Sequence, residues 1–389
     1  MKIINLVISI FFIFIKVKKV WSKPKKAKVL IYDNTFSELF EKYINKKEIE
    51  VYHNRIDENS SINLYVILKC LIKLDFKLKK YKSVYFNYVN PKIVITINDN
   101  NLGFYQLKKI FPNIIFIAIQ MSWKYDTEFD IINKRHLYKN NSQLYCDYLF
   151  CYNKYIAKKY LSFIKVKKVF YIGSFKSNSY NLKKKINDSI IYISQWRNYS
   201  QSLSYHKKLT FGDWQKNEIP FLKKLSEYLL RKSIKLTVLG KTTNSAPQEK
   251  KFYDEIFKKN YTFIPQFYFR NHYDILDKCK LTLALDSTLG YENLSRGNRT
   301  IFFSIRNSYK KNFDMIRFCW PLKKKRIGPN WTNKITFKEF ERLFLIKDMS
   351  DRAWKKIINN HFKRICIYDI KNSKFLRLIK TFQVPLNLN

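Results

Sequence analysis

LTLALDSTLGYENLSRGNRTIFFSIR, residues 281–306, is the stretch on which the reading of the fold turns. Leu281 to Leu285 is an apolar run of strand length that stops at Asp286, and Ser287 and Thr288 are natural N-cap residues for a helix carrying Leu289, Glu292 and Leu294. Gly297 ends that helix, and Arg299 to Phe303 reads as a second strand. The unit is strand, helix, strand, the building block of a parallel, doubly wound sheet. In such sheets ligands gather where strands end and helices begin, because unpaired N–H groups and the positive dipole end attract phosphate. Thr288 and Glu292 are four apart and share a helix face, offering hydroxyls to a phosphate and a carboxylate to ribose hydroxyls. Spacing alone equally allows a plain capped helix with a solvent-facing Glu292.

The chain has 389 residues, enough for two domains with separate cores. Its 75 Lys and Arg against 30 Asp and Glu give a formal charge of +45, a field that suits an anionic membrane or a phosphorylated substrate. The excess is nearly all Lys and runs from end to end beside abundant Asn, Ile, Tyr and Phe, which reads partly as coding bias. No finger, basic zipper or RNA-binding sheet signature accompanies it, so nucleic acid is not expected as a partner. Six cysteines (Cys70, Cys146, Cys151, Cys279, Cys319, Cys366) lie scattered, without C-x-x-C or a Cys/His cluster, and no D-x-D pair occurs. Neither a disulfide framework nor a metal site is expected, and no cofactor is implied.

Ile3 to Ile15 is apolar apart from Asn5 and Ser9, and lysines follow at once. As a helix it reaches about 20 Å, short of the roughly 30 Å of a hydrocarbon core. Residues 1–22 are therefore read as a membrane-associated segment dipping into the cytoplasmic leaflet, with Trp21 and the lysines at the interface; a buried first helix is the alternative.

From residue 23 strands and helices alternate. Val29–Tyr32, Ile49–Tyr52, Lys92–Ile97, Ile114–Ile119, Tyr148–Tyr152 and Val169–Ile172 read as strands, with a long helix over Ile62–Leu78 and another near Phe104–Phe111. The carboxyl edge of this sheet carries Asp33, Asp99, Gln120 and Gly173. Residues 177–188 are polar, without apolar period, and read as an interdomain linker. The pattern restarts over 189–336: Ile190–Ile193 ends at Arg197, Ile234–Leu239 closes on Gly240 and Lys241, and the central unit follows. Phe318, Trp320 and Trp331, with Pro321, Gly328 and Pro329, mark a structured loop at the cleft. Residues 337–389 read as helices and a basic tail. The fold class is α/β, two Rossmann-like domains facing a cleft.

SINLYVILKCL (61–71), YVNPKIVITINDNNLGFYQLKKIFPNIIFIAIQ (88–120), IGSFKSN (172–178), YISQWR (192–197) and ALDSTLGYENLSRGNRTIFFSIR (284–306) together resemble a family of bacterial surface-carbohydrate biosynthesis proteins. The likeness runs from about Lys23 to Asn333 and departs at Met121 and Ser122, where Asn-Gly is common in the family. The family looks like the GT-B glycosyltransferases, whose amino-terminal domain holds the acceptor and whose carboxy-terminal domain binds a nucleotide sugar. The resemblance implies a metal-independent glycosyltransferase at the cytoplasmic face of the inner membrane, with a glycan or lipid-linked acceptor. It implies a donor site of Gly240, Lys241, Asp286, Ser287, Thr288, Gly290 and Glu292, with Ser287, Thr288 and nearby amides on phosphate and Glu292 on ribose. Arg197 would neutralise the leaving group. Asp99 is the candidate general base; Asp33 is the alternative, and a structural turn at Ile97–Asn101 stands beside both.

Overall fold

The computed structural model describes residues 17–54, 60–72, 78–124, 129, 132, 143–182, 187–198, 200, 202–203, 206–210, 212–213, 216–258, 260–266, 272–305 and 327–387. Ile3–Ile15, Phe318, Trp320 and Pro321 lie outside the described residues.

Six parallel strands make the first sheet: β1 (Val29–Tyr32), β2 (Ile49–Tyr52), β3 (Ile93–Thr96), β4 (Ile115–Ile119), β5 (Leu144–Cys151) and β6 (Ile164–Tyr171), in spatial order β2-β1-β3-β4-β5-β6. Val29 aligns with Ile49 on one side and Ile93 on the other. β1 and β3 are Val/Ile-rich and buried along their whole length, as strands covered on both faces must be. The second sheet holds β7 (Asn187–Ile193), β8 (Leu236–Leu239), β9 (Tyr261–Ile264), β10 (Cys279–Ala284), β11 (Thr300–Phe303) and β12 (Trp331–Thr332), ordered β9-β8-β7-β10-β11-β12 and parallel throughout. This is the α/β, two-sheet Rossmann-like architecture read from the sequence.

Helices Leu64–Ile72, Leu78–Val89 and Leu102–Ile110 bring Val66, Phe86 and Phe104 into one core with Tyr32 and Phe116 of the first sheet. The opposite face is closed from the far end of the chain. Helix Ser373–Thr381 seats Phe375 among Phe40, Tyr43, Phe150 and Phe175, with ring centroids 5.1 to 6.1 Å away. Full burial of such a ring contributes roughly 1.5 to 3 kcal/mol. The last segment is therefore not a basic tail, because Phe375, Leu378 and Ile379 form a buried stripe beneath its lysines. Helix Phe337–Phe344, capped by the Thr336 side chain, packs Phe340 and Phe344 on Tyr228, with Phe340 also against Phe303.

Three further boundaries differ from expectation. The single helix over Ile62–Leu78 is a strand at Ser61–Asn63 followed by helix Leu64–Ile72, with a separate helix at Leu78–Val89. The folded domain begins before residue 23, since Lys18–Val20 pairs in parallel with Ser61–Asn63 and Val17 is buried. The polar stretch 177–188 is only partly a linker: Ser177 and Asn178 are buried in a short helix, and β7 already starts at Asn187. The chain returns beside that crossing, where Gly173 bridges to Tyr368 and Tyr368 Oη donates to the Tyr180 carbonyl. Gly173 has φ +72°, and a Cβ there would stand 1.8 Å from the Ile367 carbonyl oxygen, so only glycine admits the returning strand. Among the described residues no helix is long and apolar enough to cross a membrane.

Candidate functional site

The reversal of strand order marks a crevice in each sheet. In the second sheet the chain steps outward from β7 to β8 and β9, then resumes on the other side at β10, leaving the carboxyl ends of β7 and β10 side by side. Ser194 to Arg197 follow the first and Leu285 to Thr288 the second, so Arg197, Asp286, Ser287 and Thr288 reach one edge of the sheet. Arg197 is exposed there and the other three are half-buried. Ser287 is extended (φ −65°, ψ 136°) and its Oγ accepts from the Leu289 amide at 3.2 Å, which caps helix Thr288–Ser295. A serine accepting in this way keeps its hydroxyl proton to donate.

The two glycines of the expected donor site are required by packing, a reason for glycine that their spacing in the sequence did not show. A Cβ on Gly290 would meet the Ala284 Cβ at 2.7 Å and the Phe302 ring at 3.1 Å, so glycine lets the helix lie on β10 and β11. A Cβ on Gly240 would meet the Phe263 ring at 2.9 Å and the Ile264 carbonyl at 3.2 Å. The amide of Lys241 is also committed, donating to both oxygens of Glu249 at 2.9 and 3.1 Å. Glu249 further accepts from the Thr242 amide (3.0 Å), Thr242 Oγ1 (2.8 Å) and Ser194 Oγ (2.5 Å). This buried carboxylate ties the loop after β8 to the end of β7. Its only sequence signal was a place near the start of an amphipathic helix.

Glu292 is 5 % exposed, which removes the solvent-facing alternative. Its Oε1 accepts from Tyr152 Oη at 3.1 Å and Ser174 Oγ at 2.5 Å, and its Oε2 from Tyr273 Oη at 2.9 Å. Tyr152 and Ser174 stand at the carboxyl ends of β5 and β6, so the carboxylate joins the two sheets. Burial, reinforced by the Glu292 charge, raises the pKa values of Tyr152 and Tyr273 well above the ordinary phenol value and keeps both as donors. Next to this contact Trp123, from the loop after β4, stacks on Tyr291 at 4.1 Å with the rings 2° from parallel. The carboxyl edges of both sheets therefore face one another.

Asp99 is not poised as a general base. It is 2 % exposed, pairs with Lys124 Nζ at 3.0 Å, and accepts from the Met121 amide at 3.1 Å and from the Tyr160 hydroxyl. Its work here is to anchor the loop that carries Trp123. Asp33, the alternative, lies at the first sheet's own reversal between β1 and β3. It accepts from the Thr35 amide (3.1 Å), Thr35 Oγ1 (2.9 Å) and Asn98 Nδ2 (3.1 Å), with a strained φ of 146°. Among the described residues no group of three His, Cys, Asp or Glu side chains is placed to hold a metal ion.

Residues 117–383 match a family model described as "putative O-antigen biosynthesis protein". The chain belongs to that family. No curated protein matches the sequence. Among solved structures, this O-antigen biosynthesis family member is similar to the wall teichoic acid polymerase TagF in its H548A form, with TM-score 0.51 and 12 % identity over 92 % of this chain and 90 % of that one. It is also similar to the Methanocaldococcus jannaschii UDP-GlcNAc 2-epimerase in complex with UDP-GlcNAc and UDP (TM-score 0.50, 12 % identity, 92 % and 99 % covered). A third likeness is to a "putative UDP-N-acetylglucosamine 2-epimerase" from Listeria monocytogenes (TM-score 0.53, 10 % identity, 92 % and 97 % covered). At these identities the likeness shows the fold, the two-domain GT-B arrangement.

Proposed function

We propose that this surface-carbohydrate protein is a glycosyltransferase that moves a sugar from a nucleotide-activated donor to a glycan or lipid-linked acceptor. The observation that carries the reading is the facing of the two strand-order reversals, which sets a phosphate-suited helix start across from a second crevice able to take an acceptor. The nucleotide diphosphate would lie at Asp286–Thr288, with the Ser287 and Thr288 hydroxyls and the helix amino end receiving the phosphate and Arg197 and Lys241 neutralising it. Glu292 would take the ribose hydroxyls. The basic surface and the apolar residues 3–15 support action at the cytoplasmic face of the inner membrane, where a lipid-linked acceptor presents itself.

A second reading, transfer of a polyol phosphate, is supported by the likeness to TagF, one of whose structures was soaked with CDPG (TM-score 0.51). The test is nucleotide release by purified protein from a panel of UDP-, GDP-, dTDP- and CMP-sugars and CDP-polyols, with acceptor extracts from cells making surface polysaccharide. Turnover of a sugar donor is the expected result, and turnover of a CDP-polyol selects the second reading. A protein that binds and turns over none of them is a non-catalytic scaffold.

A further inference from the structure

We propose that the hydroxyls of Tyr152 and Ser174 form a latch on Glu292 that competes with nucleotide for the same carboxylate, so the donor site opens only when the two sheets part. The inference rests on the reading of Glu292 as the ribose carboxylate. Three hydroxyls already occupy it, two of them from the opposite sheet. A side chain 5 % exposed offers a ribose no approach in this arrangement. Its two cross-sheet donors must leave before hydroxyls of a ligand can take their place.

The surroundings make release feasible. Trp123 stacks on Tyr291, the residue before Glu292, yet its indole N–H is buried without an acceptor. That group gains a water partner when the sheets separate, which offsets part of what the stack and the carboxylate lose. The two hydroxyls are also neutral donors, so breaking them strands no charge on the first sheet. Glu292 keeps Tyr273, which comes from its own side of the cleft. In the open state the carboxylate is thus still oriented, with lone pairs uncovered for two adjacent hydroxyls. Apparent affinity then scales with the open fraction, since a ligand that binds only one conformer has its dissociation constant raised by the rarity of that conformer.

The test compares the full chain with its Tyr152→Phe, Ser174→Ala and Glu292→Gln variants by calorimetry with UDP and CDP, and by hydrogen exchange without ligand. Tyr152→Phe and Ser174→Ala should each lower the apparent Kd about threefold to tenfold and speed exchange at residues 121–124 and 289–293. Glu292→Gln should speed exchange but weaken binding. Wild-type or weaker affinity in either hydroxyl variant, with Glu292→Gln still weakened, overturns the latch while leaving the donor reading standing; wild-type affinity in Glu292→Gln removes Glu292 from the ribose and the latch with it. No binding by any of the four removes both. Either hydroxyl variant alone decides the matter if the other fails to fold.

Discussion

Arg296 and Asp277 form a buried, two-pronged ion pair, Nε to Oδ1 at 2.8 Å and Nη2 to Oδ2 at 2.5 Å. The rest of the guanidinium donates to the carbonyls of Ser177 (2.9 Å), Tyr180 (3.1 Å) and Asn181 (3.1 Å) and to Tyr368 Oη (3.2 Å). One side chain at the end of helix Thr288–Ser295 thus fastens both passages of the chain between the sheets. The planar fork is essential, because an ammonium has three N–H groups and cannot make these six contacts, which the guanidinium makes with five. Arg296→Ala leaves Asp277 buried without its cation, with Asn298 Nδ2 still donating to it at 2.8 Å, and should cost about 3 to 5 kcal/mol in urea unfolding; Arg296→Lys should recover little of it. A midpoint unchanged within error for Arg296→Ala would show that the crossings are held by other contacts.

Glu249 accepts hydrogen bonds from four donors that shape the loop after β8. An amide in its place would turn two N–H donors toward groups that are themselves donors. Glu249→Gln should lower stability by about 1.5 to 3 kcal/mol and weaken nucleotide binding. Thermal unfolding and calorimetry on the same sample check both, and wild-type values in each would remove Glu249 from the site's framework.

Membrane attachment through residues 3–15, as proposed, is expected to be separable from folding. Lys18–Val20 belongs to a strand pair, whereas residues 3–15 are apolar sequence ahead of it. Deleting residues 2–16 should move the protein from the membrane to the soluble fraction with its melting temperature intact. Deleting 2–21 should lower that temperature as well. A membrane-bound 2–16 deletion would place attachment on the basic surface instead.

Lys82 carries a pH signature. Burial lowers its pKa from 10.5 to about 8, and its amine donates to Tyr32 Oη at 2.6 Å. The folded chain therefore releases this proton more readily than the unfolded chain. Between about pH 8 and 10.5 the unfolded state holds more protons, so this group makes stability rise with pH; its full cost is felt below 8. Lys82→Met should flatten that rise, by up to about 1.4 kcal/mol per pH unit, in chemical unfolding across the window. Parallel profiles for wild type and variant would contradict it.

The fold was legible because KIVITI and IIFIAI are buried along most of their length, and because strand and helix alternate with polar turns at each carboxyl edge. The capped start of helix Thr288–Ser295 was equally local, since Ser287 needs only the amide two residues on. Glu292 was different. Its partners come from 140, 118 and 19 residues away, and no spacing within one helix encodes them. Asp99 misled for the same reason: an Asn/Asp-rich turn gives no sign of a lysine and a tyrosine folded over it. The last helix did leave a signal, apolar residues at 375, 378 and 379, masked by Arg377 between them and by Lys374 and Lys380 on either side.

Hydrogen exchange of the intact protein with and without a bound nucleoside diphosphate tests the central claim most directly. Nucleotide at the reversal of the second sheet should slow exchange at residues 194–197 and 286–290, the two strand ends that flank the crevice. Protection confined to the carboxyl edge of the first sheet, around Asp33 and Asn98, with those two segments unchanged, would contradict it.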